Sequence, residues 1–80
     1  MKRVALVTGG SRGIGFGIAK HLAESDFDIA INGVRKETEV ADALKELRNT
    51  GAEVLYCQGD VSSTDDRKKI LQQVAKHFGT

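Results

Sequence analysis

The stretch Arg3-Val4-Ala5-Leu6-Val7-Thr8-Gly9-Gly10-Ser11-Arg12-Gly13-Ile14-Gly15 decides the fold. Val4 to Val7 are apolar at every position rather than at alternate ones. A strand written that way is covered on both faces, as in a parallel sheet. Glycines then crowd together: five of the nine in the chain lie between Gly9 and Gly17. A helix pattern runs from about Gly13 to Glu24, with Ile14, Ile18 and Leu22 spaced by four. Gly15 and Gly17 each cost that helix about 1 kcal/mol against Ala, so helix stability does not place them there. A helix N-terminus just after a glycine turn offers unpaired N–H groups and partial positive charge, which attract phosphate. Gly9 lets the chain leave the strand sharply, and Gly13 leaves room for a pyrophosphate against the backbone. Gly15 lets the helix pack closely on the sheet.

Outward from this stretch the pattern repeats. A second strand is predicted over Asp28 to Asn32, around Ile29, Ala30 and Ile31. A second helix spans about Glu37 to Thr50, with Val40, Leu44 and Leu47 as its stripe and Gly51 as its stop. A third strand covers Glu53 to Gln58. Ser62-Ser63-Thr64-Asp65-Asp66 then reads as a helix start, with hydroxyl caps followed by acids that suit the positive end of the helix dipole. The third helix buries Ile70 or Leu71, Val74 and Phe78. The order β-α-β-α-β-α calls for right-handed crossovers and a parallel sheet. It is the first half of a doubly wound α/β fold, with three strands in the order 3-2-1. In such a sheet the first strand lies in the middle, so Val4 to Val7 would form an unpaired apolar edge. We therefore expect these 80 residues to be the N-terminal half of one domain, with the remainder absent from this sequence or supplied by another chain.

Composition narrows the function. Twelve Lys and Arg against eleven Asp and Glu leave a formal charge of +1, which gives no basic field for nucleic acid. The longest apolar run has four residues, too few for a membrane span or a signal peptide. A single cysteine excludes an internal disulfide and a cysteine-based zinc cluster. These features point to a cytoplasmic domain. Cys57 reads as a small core residue, and His21 and His77 have no partner at metal-ligand spacing. Arg67-Lys68-Lys69 reads as the solvated start of the third helix.

The glycine turn does not fit a mononucleotide P-loop, because Phe16-Gly17 rather than Lys-Ser/Thr follow its last glycine. It does not fit Gly-x-Gly-x-x-Gly either, since Ile18 stands at the third position. What is present is Thr8-Gly9-x-x-x-Gly13-Ile14-Gly15, joined by Asp60-Val61 just after the third strand. In both motifs, and over the whole 80 residues, the sequence resembles the short-chain dehydrogenase/reductase family, above all its 3-oxoacyl-acyl-carrier-protein reductase-like members. The resemblance implies a Rossmann-type fold, a nicotinamide dinucleotide cofactor and hydride transfer to a carbonyl such as a 3-oxoacyl thioester. It also implies a homotetramer for the full-length protein. By the same likeness, Gly9, Gly13, Ile14 and Gly15 belong to the cofactor-binding turn, and Ser11 and Arg12 contact the phosphate on the ribose 2′-position. Asn32 sits near the adenosine ribose, and Asp60 and Val61 meet the adenine. A carboxylate can only accept, which suits the exocyclic amino group of adenine.

No acid stands at the end of the second strand, where one would grip a ribose 2′-hydroxyl. Arg12 and Arg35 stand nearby instead, and guanidinium groups suit a 2′-phosphate. NADP(H) is therefore expected over NAD(H), with Arg12 weighted above Arg35. Arg35 lies three places after Asn32, where related reductases often have their basic residue two places after. The Ser, Tyr-x-x-x-Lys and Asn-Asn-Ala-Gly elements of the family are absent: the only tyrosine, Tyr56, has Asp60 four positions on. No catalytic residue and no metal ligand is assigned. The alternative to half of an enzyme is a non-catalytic dinucleotide-binding module, or an inactive truncated fragment.

Overall fold

The computed structural model describes residues 3–9 and 13–79. Three parallel strands form one sheet in the order β1-β2-β3, the predicted 3-2-1 read from the opposite edge. They are β1 (Arg3–Thr8), β2 (Phe27–Gly33) and β3 (Val54–Gln58). Helix α1 (Gly13–Glu24) joins the first two, and α2 (Ala41–Arg48) joins the last two. Helix α3 (Thr64–Phe78) follows β3.

The double coverage expected of the first strand belongs chiefly to the second. Ile29, Ala30, Ile31 and Asn32 are all buried in β2, whereas β1 buries only Val7. The difference follows from position, because β2 has a neighbour on each side and β1 has one. Leu6 is accordingly 40% exposed. Among the described residues nothing pairs with the outer edge of β1.

On one face, Val7, Ile29, Ile31, Val54 and Tyr56 pack against α1 and α2. The α2 stripe is the predicted one: Val40, Leu44 and Leu47 are each at most 5% exposed. Burying each leucine stabilises the fold by roughly 1.5–3 kcal/mol. The single helix expected over Glu37 to Thr50 is instead a 3-10 turn, Glu37–Val40, followed by α2. Val40, with φ −115° and ψ 13°, leaves helical geometry between the two. In that turn the Glu39 carboxylate accepts from the Lys36 backbone N–H at 3.2 Å.

The apolar face of α1 is not the one its isoleucines suggest. Ile14 is 84% and Ile18 50% exposed, while Ala19 and Ala23 are buried and Phe16 and Leu22 pack against the core. A spacing of four drifts by about 40° at each step around a helix of 3.6 residues per turn. Small alanines at the contact let the helix axis lie close to the sheet, which longer side chains would prevent.

Alternation sends Ala30 and Cys57 to the opposite face, where Ile70 of α3 is buried. Leu71 is 60% exposed, which settles the choice between the two. The Ser63 hydroxyl caps α3 by accepting from the Asp66 N–H at 3.3 Å. Between β1 and α3 lies an apolar notch of about 220 Å³, lined by Leu6, Thr8, Val61, Arg67, Ile70 and Leu71.

Two stability measurements check this packing. A Cβ at Gly17 would meet nothing within 4 Å. Gly17→Ala should therefore raise the unfolding free energy by up to about 1 kcal/mol in urea denaturation, and a loss would mean that surface is packed. Ile70→Ala should cost about 2–4 kcal/mol. Leu71→Ala should cost under about 0.5 kcal/mol, as exposed positions do.

Candidate functional site

The strand register builds the site. Thr8 aligns with Asn32, and Asn32 with Cys57. All three strands point the same way, so all three chains leave the sheet at one edge. Ligands of open α/β sheets bind in the crevice outside those carboxyl ends. Gly9, Gly33 to Arg35, and Gly59 to Val61 are the three exits.

Backbone hydrogen bonds fix the exits to one another. The Gly9 N–H donates to the Asn32 carbonyl at 2.8 Å, and the Gly59 N–H to the Gly33 carbonyl at 2.9 Å. Gly9 has φ +65° and Gly13 φ +55°, a left-handed conformation that costs an ordinary residue roughly 1–2 kcal/mol. The backbone thus requires glycine at both ends of the turn, whatever binds there. Ser11 and Arg12 lie outside the described residues. Ile14 stands exposed in the first turn of α1, and Gly15 is half-buried just behind it.

Asn32 is 3% exposed, and its side-chain amide donates to the Cys57 carbonyl at 2.9 Å and to the Gly59 carbonyl at 3.0 Å. Both of its N–H donors are therefore spent inside the fold, joining β2 to the turn after β3. The sequence placed Asn32 at this level but did not foretell that engagement.

Asp60 is held on both sides. Its backbone N–H donates to the Asp66 carboxylate at 2.8 Å. Its Oδ1 accepts from the Ser62 N–H at 2.9 Å and from the Ser62 hydroxyl at 2.7 Å. These bonds hold the carboxyl below its ordinary value of 3.8, so it is ionised at neutral pH and acts only as an acceptor. Among the described residues the second oxygen, Oδ2, carries no hydrogen bond. The loop-cap reading and the ligand reading of Asp60 are thus compatible, one oxygen serving each. Val61, 38% exposed, lines the notch beside Leu6 and Ile70.

Arg35 is half-buried in the loop after β2, and no ion pair engages its guanidinium among the described residues. Three consecutive carbonyls of that loop are held from β3 and the turn after it. Gly59 N–H takes Gly33, the Gln58 side chain takes Val34 at 3.4 Å, and the Tyr56 hydroxyl takes Arg35 at 2.6 Å. The sequence sets Tyr56 aside as a catalytic group and gives Gln58 no role. The signal was a tyrosine at an inward-facing strand position, since a buried phenol must find a partner. A second, open cleft of about 470 Å³ between α1 and α2 shares only Gly13 with this set, so the carboxyl ends of the strands define the site. No group of three or more His, Cys, Asp or Glu arranged for a metal occurs among the described residues. No helix among them is long and apolar enough to cross a membrane.

Comparison with known proteins agrees with this arrangement. The family model described as short chain dehydrogenase matches residues 3–80. A peroxisomal 2,4-dienoyl-CoA reductase of Arabidopsis thaliana is 38% identical over 77 residues, which is 96% of this chain and 26% of that protein. A 3-oxoacyl-[acyl-carrier-protein] reductase of Staphylococcus epidermidis is 35% identical over 80 residues, all of this chain and 33% of that protein. A short-chain dehydrogenase/reductase structure from Sinorhizobium meliloti superimposes with a TM-score of 0.95 at 42% identity, covering 99% of this chain and 36% of that one. The 3-oxoacyl-[acyl-carrier protein] reductase of Brucella melitensis in complex with NAD gives 0.89 at 38% identity, over 99% of this chain and 30% of that one. The chain thus spans about a third or less of the length of these proteins. The chain belongs to the short-chain dehydrogenase family.

Proposed function

We propose that this chain supplies the cofactor-binding half of an NADP(H)-dependent oxidoreductase that reduces a carbonyl such as that of a 3-oxoacyl thioester. The observation that carries the reading is the convergence of the three strand exits on one crevice, with left-handed Gly9 and Gly13 beside it. When bound, the dinucleotide supplies hydride at its nicotinamide ring, and the protein supplies position and charge.

The residues present fit such a group. Gly9 and Gly13, the two left-handed positions, present no side chains, which suits close approach of a pyrophosphate. The unpaired Oδ2 of Asp60 can accept from the adenine amino group, with the Val61 N–H beside it. Residues 32–36 contain no carboxylate, so a 2′-phosphate meets the guanidinium of Arg35, and of Arg12 by family likeness, rather than an acid. Asn32 serves from inside the fold, keeping the ribose-side loop level with the adenine-side turn.

Reduction of a carbonyl also needs a proton donor, and among the described residues Tyr56 is not placed to be one. Tyr56 is 7% exposed, and its hydroxyl is committed to the Arg35 carbonyl. In this reading the Ser, Tyr and Lys of the family, and the strands that cover β1 and the Leu6–Leu71 notch, lie in the other half of the domain. The assembled protein would be a cytoplasmic homotetramer acting in fatty acid biosynthesis, by analogy with the reductases it resembles.

Arg12→Ala tests the cofactor reading. Titration of reduced cofactor fluorescence should show NADPH binding weakened by about tenfold or more, as loss of a charge-assisted contact does. NADH binding should change less than about twofold, because no charged partner for its 2′-hydroxyl is lost. Equal losses for both cofactors would remove the 2′-phosphate from the account.

A further inference from the structure

Tyr56 lies on β3, away from the glycine turn, and the proposed function gives it no chemistry. It is nevertheless the largest polar side chain in the core, 7% exposed, and its one hydrogen bond is specific. At 2.6 Å from the Arg35 carbonyl it donates across from β3 to the loop that leaves β2. That loop has no other strand to hold it, since β2 ends at Gly33 and the 3-10 turn begins at Glu37. The bonds from Gly59 to Gly33 and from Gln58 to Val34 continue the same seam.

We infer that Tyr56 is a positioning residue for cofactor selectivity: its hydroxyl fixes the Arg35 carbonyl, and so places the Arg35 guanidinium at the ribose 2′-position. Three features support it. First, a short loop pinned at three successive carbonyls leaves Arg35 few backbone conformations, so little entropy is lost when its side chain meets an anion. Second, the phenol stays protonated at neutral pH. Burial and then the Glu39 carboxylate push it above its ordinary value of 10.0, so it is a permanent donor. Third, Glu37 and Glu39 follow closely in the chain, and both also act on the Tyr56 phenol electrostatically. A loop free to shift would let these carboxylates trade places with the guanidinium, and a 2′-phosphate would then meet repulsion. The seam therefore holds the backbone of Arg35 in register beside these carboxylates. The Glu39 carboxylate is meanwhile occupied by the Lys36 N–H.

The inference rests on the NADP(H) reading of the site, and the experiment separates the two. The full-length protein, its Tyr56→Phe and Arg35→Ala variants and the double variant are titrated with NADPH and with NADH, following reduced nicotinamide fluorescence. Tyr56→Phe keeps the buried ring and removes only the donor. It should weaken NADPH by about fivefold, the value of one net hydrogen bond. NADH should change by less than about twofold, and the melting temperature should fall by roughly 2–4 °C, the stability cost of the same bond. In the double variant the loss should equal that of Arg35→Ala alone, because positioning matters only while the guanidinium is present. A purely structural role would weaken both cofactors together, with additive losses, and would overturn the inference. Unchanged NADPH binding in Tyr56→Phe would overturn it too. A wild-type protein without preference for NADPH would overturn the cofactor reading itself, and this inference with it. Should Phe at this position prevent folding, Gln58→Ala removes only the exposed bond to Val34. It must then shift NADPH binding in the same direction, or the seam has no role in selectivity.

Discussion

Everything at the carboxyl edge of the sheet depends on how one buried amide is satisfied. Asn32 is the one buried side chain among the described residues that carries an amide, and leaving it unpaired would cost about 1–3 kcal/mol. Its side chain meets that demand by donating to Cys57 and Gly59, while its own backbone carbonyl accepts from Gly9. One residue thus ties the exit of β1, the end of β2 and the turn after β3 into a single rigid edge. Displace any one of the three and a donor or carbonyl is left unpaired. The glycine turn, the Arg35 loop and the Asp60 turn are all carried on that edge.

Function then follows from what the edge leaves unsatisfied. Asp60 Oδ1 is spent on Ser62, but Oδ2 is free to accept among the described residues. The left-handed glycines expose backbone where other residues would expose side chains. Arg35 brings a guanidinium without a salt-bridge partner among those residues. Acceptor, bare backbone and cation are the three features from which the proposed dinucleotide reading draws its contacts to adenine, pyrophosphate and a charged ribose.

Much of this was legible in the sequence, because it lives in local rules. The strand–glycine–helix order, the hydroxyl cap of α3 and the Val40-Leu44-Leu47 stripe follow from backbone and periodicity alone. What was illegible depends on tertiary neighbours. The isoleucines of α1 looked like its core face, yet Ala19 and Ala23 hold that place, because close approach to the sheet rewards small side chains over large ones. The apolar run of β1 looked doubly covered, but coverage depends on a strand's place in the sheet, and β2 holds the central one. Asn32 and Tyr56 carry their main hydrogen bonds to residues 21 to 27 positions away, which no local pattern could disclose.

The central claim is that the three strand exits form one dinucleotide site. Amide chemical-shift mapping with adenosine 2′,5′-bisphosphate tests it most directly, since that ligand carries the adenine and the 2′-phosphate without any need for catalysis. The account predicts shifts confined to Gly9–Gly15, Asn32–Lys36 and Gly59–Ser62. Shifts centred on the α1–α2 cleft around Asp42 and Glu46, or none at saturating ligand, would contradict it.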